Sequence, residues 1–198
     1  MSSRLRVADP ADAENIALLH ADSWRRHYRG ALSDAYLDGD ILTDRRSVWS
    51  ARLAAPAHAL TVVAEDDAGL AGFVHIEFDD DPRWGSLVDN LHVAHDRHGT
   101  GLGAVLLTRA AEAAAEQATN PAVFLWVLEQ NVKAQGFYQA MGGAFAEKTT
   151  VLRPGETSSR HKGNPGVIRV AWPDAAELSA RRPRRSADDA RRSTQPGR

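Results

Sequence analysis

Leu87-Val-Asp-Asn-Leu-His-Val-Ala-His-Asp-Arg-His-Gly-Thr-Gly-Leu-Gly103 is the stretch on which the reading of the whole chain turns. Its first part, Leu87–Val93, has the apolar and β-branched content of a strand. Glycines at 99, 101 and 103 follow, and an alanine-rich helix spans about Leu102 to Gln117. Glycine in such a turn reaches positive φ and lets backbone approach a ligand closely. The free amides and the dipole of the following helix then favour an anion such as a phosphate. Three alternating glycines also suit an ordinary tight turn, so the turn alone does not decide. The dinucleotide fingerprint fits poorly: Glu129, after the next strand, comes about 30 residues beyond Gly99 and is late for a ribose-binding acid. A P-loop would need Gly-Lys-Ser/Thr at its end, which is missing.

Working outward, the upstream sequence predicts a helix over Ala11–Trp24, with Asp9 as N-cap and Pro10 at its first position. A second helical stretch covers Leu32–Leu53, broken near Gly39–Asp40. Ala59–Ala64 and Ala71–Phe78 make a hairpin, and Asp79–Gly85 a polar loop. Downstream, Val123–Leu128 is apolar throughout, as for a strand covered on both faces. Asn131–Met141 is a helix closed by Gly142–Gly143. Strands over Phe145–Leu152 and Val167–Trp172 flank a loop, Arg153–Pro165. The order α-α-β-β-β-α-β-α-β-β gives an α/β or α+β mixed sheet flanked by helices.

The 198 residues fit one domain with a tail, and the absence of cysteine excludes disulfides, thiolate metal sites and a cysteine nucleophile. No histidine spacing matches a zinc motif, so no metal is expected. No apolar run is long enough for a membrane helix, and residues 1–9 lack a secretory signal; a cytoplasmic protein is expected. The net charge of −2 hides an asymmetry. Residues 181–198 carry +5, which leaves −7 on the other 180. An acidic body argues against a nucleic-acid partner and suits a cationic substrate. Residues 1–173 are thus expected to fold, and 174–198 to be an Arg-rich, disordered tail.

Two blocks together resemble the GNAT N-acetyltransferase superfamily over about residues 4–172. The first is His98-Gly-Thr-Gly-Leu-Gly103, where the family has Arg/Gln-x-x-Gly-x-Gly/Ala; His98 departs from the usual first residue. The second is Asn131-x-x-Ala134-x-x-Phe137-Tyr138-x-x-x-Gly142, following a strand. A narrower match, Ser23-Trp24-Arg25-x-x-Tyr28-x-Gly30, resembles the opening of a bacterial subgroup. The resemblance implies a mostly antiparallel sheet of six to seven strands, splayed between Leu87–Val93 and Val123–Leu128. It implies acetyl-CoA as co-substrate and a primary amine, on a small molecule or peptide, as acceptor. A homodimer is left open.

Residue by residue, the resemblance assigns coenzyme A to the edge Leu91-His92-Val93, to the turn His98, Gly99, Thr100, Gly101, Leu102 and Gly103, and to Asn131 and Tyr138. A backbone N–H of that edge would hold the oxyanion. Asn131 also suits an N-cap. Tyr138 is the general-acid candidate, because a phenol stays protonated at neutral pH. Positions that carry a glutamate base in some relatives are Leu87 and Trp126 here, so Asp89, Glu77 and Glu129 stand as substitutes beside a water chain. Trp24 and Tyr28, at i and i+4, are candidates for the acceptor pocket or for core packing. Two other readings remain. One is a transferase using a longer acyl-CoA or an aminoacyl-tRNA, and the other a non-catalytic CoA-binding module.

Overall fold

The computed structural model describes residues 3–153, 156 and 158–181. A seven-stranded sheet runs in the order β1-β2-β3-β4-β5-β7-β6. Its strands are β1 (Arg4–Val7), β2 (Ala59–Asp66), β3 (Gly69–Asp81), β4 (Gly85–Val93), β5 (Val123–Leu128), β6 (Ala144–Thr150) and β7 (Gly166–Trp172). The helices are α1 (Ala13–His27), α2 (Asp34–Asp38), α3 (Ile41–Ala54), α4 (Leu102–Gln117), α5 (Val132–Ala140) and α6 (Ala175–Ser179). Every strand pair is antiparallel except β4 with β5. Among the described residues, no helix is long and apolar enough to cross a membrane.

Both sheet faces are apolar, and adjacent residues divide between them. Val62 and Val74 pack into the core beneath α4, with Leu106, Leu107, Leu125 and Val170. Their neighbours Val63 and Phe73 turn the other way, onto Ile16, Trp49 and Leu53 of α1 and α3. Asp9 caps the entry to α1 through the Ala11 amide at 2.8 Å, as the sequence predicts, but Pro10–Asp12 form a 3-10 turn before α1 proper.

Three features depart from expectation. A leading strand, β1, precedes the helices; four residues with two arginines carry too weak an alternation to be read. Arg6 pins this edge strand by bonding both Asp12 and Glu65. The expected loop Asp79–Gly85 shrinks to a tight turn, because β3 continues to Asp81 and β4 starts at Gly85. Finally, the packed body continues past residue 173, where the tail was expected to begin. Ala175 and Leu178 of α6 are fully buried in the main core. The Arg-rich stretch 182–198 of that expected tail lies outside the described residues.

The parallel pair β4–β5 is brief. Registered partners are Ser86↔Val123 and Leu87↔Phe124, after which the strands part. Gly85 permits the start of this contact: its φ is +78°, and a Cβ there would lie 1.9 Å from the Ala122 carbonyl oxygen. The expected splay between these two strands is present.

Since Leu178 is buried without exposure, Leu178→Ala should cost about 2–5 kcal/mol. A urea midpoint shift measures this; an unchanged midpoint would return residues 174–181 to a tail.

Candidate active site

A cavity of about 910 Å³ opens where β4 and β5 separate. One wall is Leu91-His92-Val93 of β4 and the other is Trp126-Val127-Leu128 of β5. The glycine turn and α5 close it on one side, and Ser23, His27 and Tyr28 of α1 close it on the other.

The β4 wall presents free backbone groups. Ala94 N–H donates to the Ala71 carbonyl at 2.8 Å, so His92, two residues back, pairs with β3 as well. Antiparallel alternation then turns the amides of Leu91 and Val93 toward the gap. The His98 ring folds back, with Nε2 3.0 Å from the Val93 carbonyl oxygen.

In the turn, Gly99 and Gly101 have φ of +80° and +87°, and open space lies where their Cβ atoms would be. Gly101 caps α4 without any side-chain bond. Among the described residues, no partner takes up the amides of residues 99–103. These are the conditions under which a helix N-terminus holds a phosphate. Cationic side chains of Arg97, Lys133 and Arg181 also line the cavity.

Most of the residues singled out in the sequence meet here. Leu91, His92, Val93, His98, Gly99, Gly101, Leu102, Gly103, Asn131, Tyr138 and Tyr28 all line the cavity. Asn131 caps α5 as well, accepting from the Ala134 amide at 3.1 Å. Thr100 does not line it; its hydroxyl donates to the Arg97 carbonyl at 2.8 Å. Trp24 lies just beyond, stacked on Tyr28 with ring centroids 5.0 Å apart.

The candidate bases are placed differently. Asp89 and Glu77 do not line the cavity; both point toward α3, where Arg52 reaches them at 2.7 and 3.4 Å. For Asp89 the cause is a bulge in β4: Ile76 pairs with Val88 and His75 with Asn90, leaving Asp89 as the extra residue. Glu129 is paired with Lys148 at 3.1 Å. Asp89 still acts at a distance, helping to raise the Tyr28 phenol. Among the described residues, no group of three or more metal-ligating side chains is assembled.

Sequence reasoning passed over His27, Lys133 and Arg181 as site residues, and named Ser23 only within the opening match. Ser23 and His27 stand at i and i+4 on α1, so they share one helical face, turned by one residue from that of Trp24 and Tyr28. Ser23 Oγ lies 2.8 Å from His92 Nδ1.

Burial sets the protonation of the site. It raises the Tyr138 phenol well above its ordinary value, with the nearby Tyr28 adding to the effect. Tyr28 is pushed up to about 12, first by burial and then by Asp89. His92 is lowered to about 3 by burial, against the pull of Asp89. Behind it, fully buried His20 accepts from Trp49 Nε1 at 3.0 Å and is held neutral by burial and by His92. The two imidazoles lie 4.5 Å apart, centroid to centroid.

Each of these histidines binds a proton less readily folded than unfolded. Their contribution to stability is therefore complete above about pH 6.5 and is lost as pH falls toward the folded values. His75, lowered to about 4 by burial, adds to the same slope. The melting temperature should drop steeply between pH 6.5 and 4, with each histidine contributing up to about 1.4 kcal/mol per pH unit. A flat profile across that window would contradict neutral, buried imidazoles.

Comparison with known proteins agrees with this geometry. The chain is 29% identical over 140 residues to the uncharacterised N-acetyltransferase YuaI of Bacillus subtilis, covering 69% of this chain and 77% of that one. Its fold is similar to the PaiA N-acetyltransferase of Thermoplasma acidophilum, solved in complex with coenzyme A (TM-score 0.66, 19% identity, 87% of this chain and 100% of that one). It is also similar to YncA of Salmonella typhimurium, a putative acetyltransferase solved with acetyl-CoA (TM-score 0.62, 17% identity, 94% and 99%). Residues 19–143 match the model of the acetyltransferase (GNAT) family, and the chain belongs to that family.

Proposed function

We propose that this protein transfers the acetyl group of acetyl-CoA to a primary amine by direct attack within a ternary complex. The observation that carries the reading is the parting of β4 from β5 beside unpaired turn amides, within one cavity. Pantetheine fits the free edge of Leu91 and Val93, and the pyrophosphate fits residues 99–103. The complexes of the two structural relatives with coenzyme A and acetyl-CoA support this choice of donor.

In this reading the amine nitrogen attacks the thioester carbonyl carbon. The new C–N bond forms while the carbonyl electrons move onto oxygen, where an edge N–H holds the charge. When the C–S bond breaks, its electron pair leaves on sulfur, and the Tyr138 hydroxyl supplies the proton. A phenol raised by burial is protonated throughout the working range, so its hydroxyl has a proton to place on the departing sulfur, and the phenolate left behind takes one back from water. The amine's own proton leaves to water at the open mouth, since the carboxylates Glu77, Asp89 and Glu129 are already ion-paired.

Acetyl-CoA should bind, and its thiol should be released in proportion to added amine. Binding without amine-dependent release would make the protein a CoA-binding module. Tyr138→Phe should lower kcat at least about tenfold while acetyl-CoA affinity and melting temperature hold. A stable Tyr138→Phe protein with full kcat would remove the hydroxyl from the reaction.

A further inference from the structure

Beside the acetyl-transfer cavity lies a second pocket of about 200 Å³. Trp24, Tyr28 and Trp126 wall it, Leu128 and Val167 floor it, and His161 covers it from the segment between β6 and β7. Tyr28, Trp126 and Leu128 border both spaces. The covering segment is fixed to the α1–α2 connection. Ser33 N–H donates to the Arg160 carbonyl at 2.8 Å, and Lys162 N–H to the Ala31 carbonyl at 2.9 Å.

Two polar atoms distinguish this pocket from a packing gap. Trp24 Nε1 and His161 Nδ1 are buried, and neither has a hydrogen-bond partner among the described residues. An unpartnered buried polar group costs about 1–3 kcal/mol, and two of the residues that line this pocket carry one each. Trp24 Nε1 can only donate, whereas a neutral imidazole Nδ1 donates or accepts according to its tautomer. A hydroxyl oxygen meets both needs. The volume suits one six-membered ring, given that a cavity of about 150 Å³ takes up benzene. Three aromatic walls favour an aromatic ring over a flexible chain.

We infer that this pocket holds the body of the acceptor, a ring-bearing amine whose ring carries a hydroxyl, with Trp24 and His161 setting specificity. The inference rests on the proposed acetyl transfer and names the substrate class of that same site. The amine arm would cross Tyr28 and Trp126 to reach the acetyl group. A site built to hydrogen-bond a substrate hydroxyl discriminates strongly against the analogue that lacks it.

The test uses the full chain, saturating acetyl-CoA and three amines: tyramine, 2-phenylethylamine and propylamine. Thiol release should give kcat/KM for tyramine at least tenfold above propylamine and at least threefold above 2-phenylethylamine. Trp24→Phe keeps a ring and removes the N–H donor, so the tyramine advantage over 2-phenylethylamine should vanish. Val151, two-fifths exposed at the pocket rim, offers a second variant. Val151→Trp should fill the pocket and cut the tyramine kcat/KM at least tenfold, with acetyl-CoA affinity retained as the measure of correct folding. Turnover of all three amines within twofold of one another, or a tyramine preference untouched by both variants, would overturn the pocket inference alone. Acetyl-CoA binding with no amine acetylated would overturn both this inference and the transferase reading.

Discussion

The rest of this structure depends on two strands that begin together and then separate. β4 and β5 share registered partners only at Ser86 and Leu87, while β4 stays paired with β3 as far as Val93 and β5 stays paired with β7 along its whole length. Each strand is thus held on its far side and released on its near side. The released edge of β4 carries backbone groups that a continuous sheet would have consumed. An extended, amide-rich ligand arm is the natural partner for such an edge, in the same way that a peptide adds to a sheet. The glycine turn at the end of β4 places the unpaired helix amides at one end of that slot.

The chemistry on the two sides of the slot follows from which face each side chain takes. Leu91 and Val93 pack toward α4 and the main core, whereas His92 faces α1 and lies against Phe73 and His20. On this α1 side the site is lined with rings that burial keeps uncharged: the Tyr28 phenol stays protonated and the imidazoles of His20 and His92 stay neutral. Arg97, which directly precedes the turn, Lys133 of α5 and Arg181 bring cationic groups to the same cavity.

Much of this was legible in the sequence because it depends on local rules. Glycines at 99 and 101 adopt the positive φ that only glycine takes without strain. The near-continuous apolar run Val123–Leu128 lies between two apolar faces, and Asn131 begins a helix as its residue type predicts. What stayed hidden depends on partners distant in sequence. β1 is held by Arg6 across to Glu65, and α6 is helical because Ala175 and Leu178 find the α4 face. The carboxylates are the clearest case. Simple alternation groups Asp89 with Leu87, Leu91 and Val93, but one bulged residue changes the count and sends Asp89 to Arg52. A bulge has no fixed residue signature, so the direction of that carboxylate was not available from the sequence.

The central claim is that the open edge of β4 and the turn amides receive acetyl-CoA. Amide hydrogen exchange, followed residue by residue with and without saturating acetyl-CoA, reads those groups directly. The account predicts that exchange slows at Leu91, Val93 and residues 99–103, while His92, already bonded to β3, changes little. Saturation with acetyl-CoA that leaves Leu91, Val93 and the turn exchanging as before would contradict it.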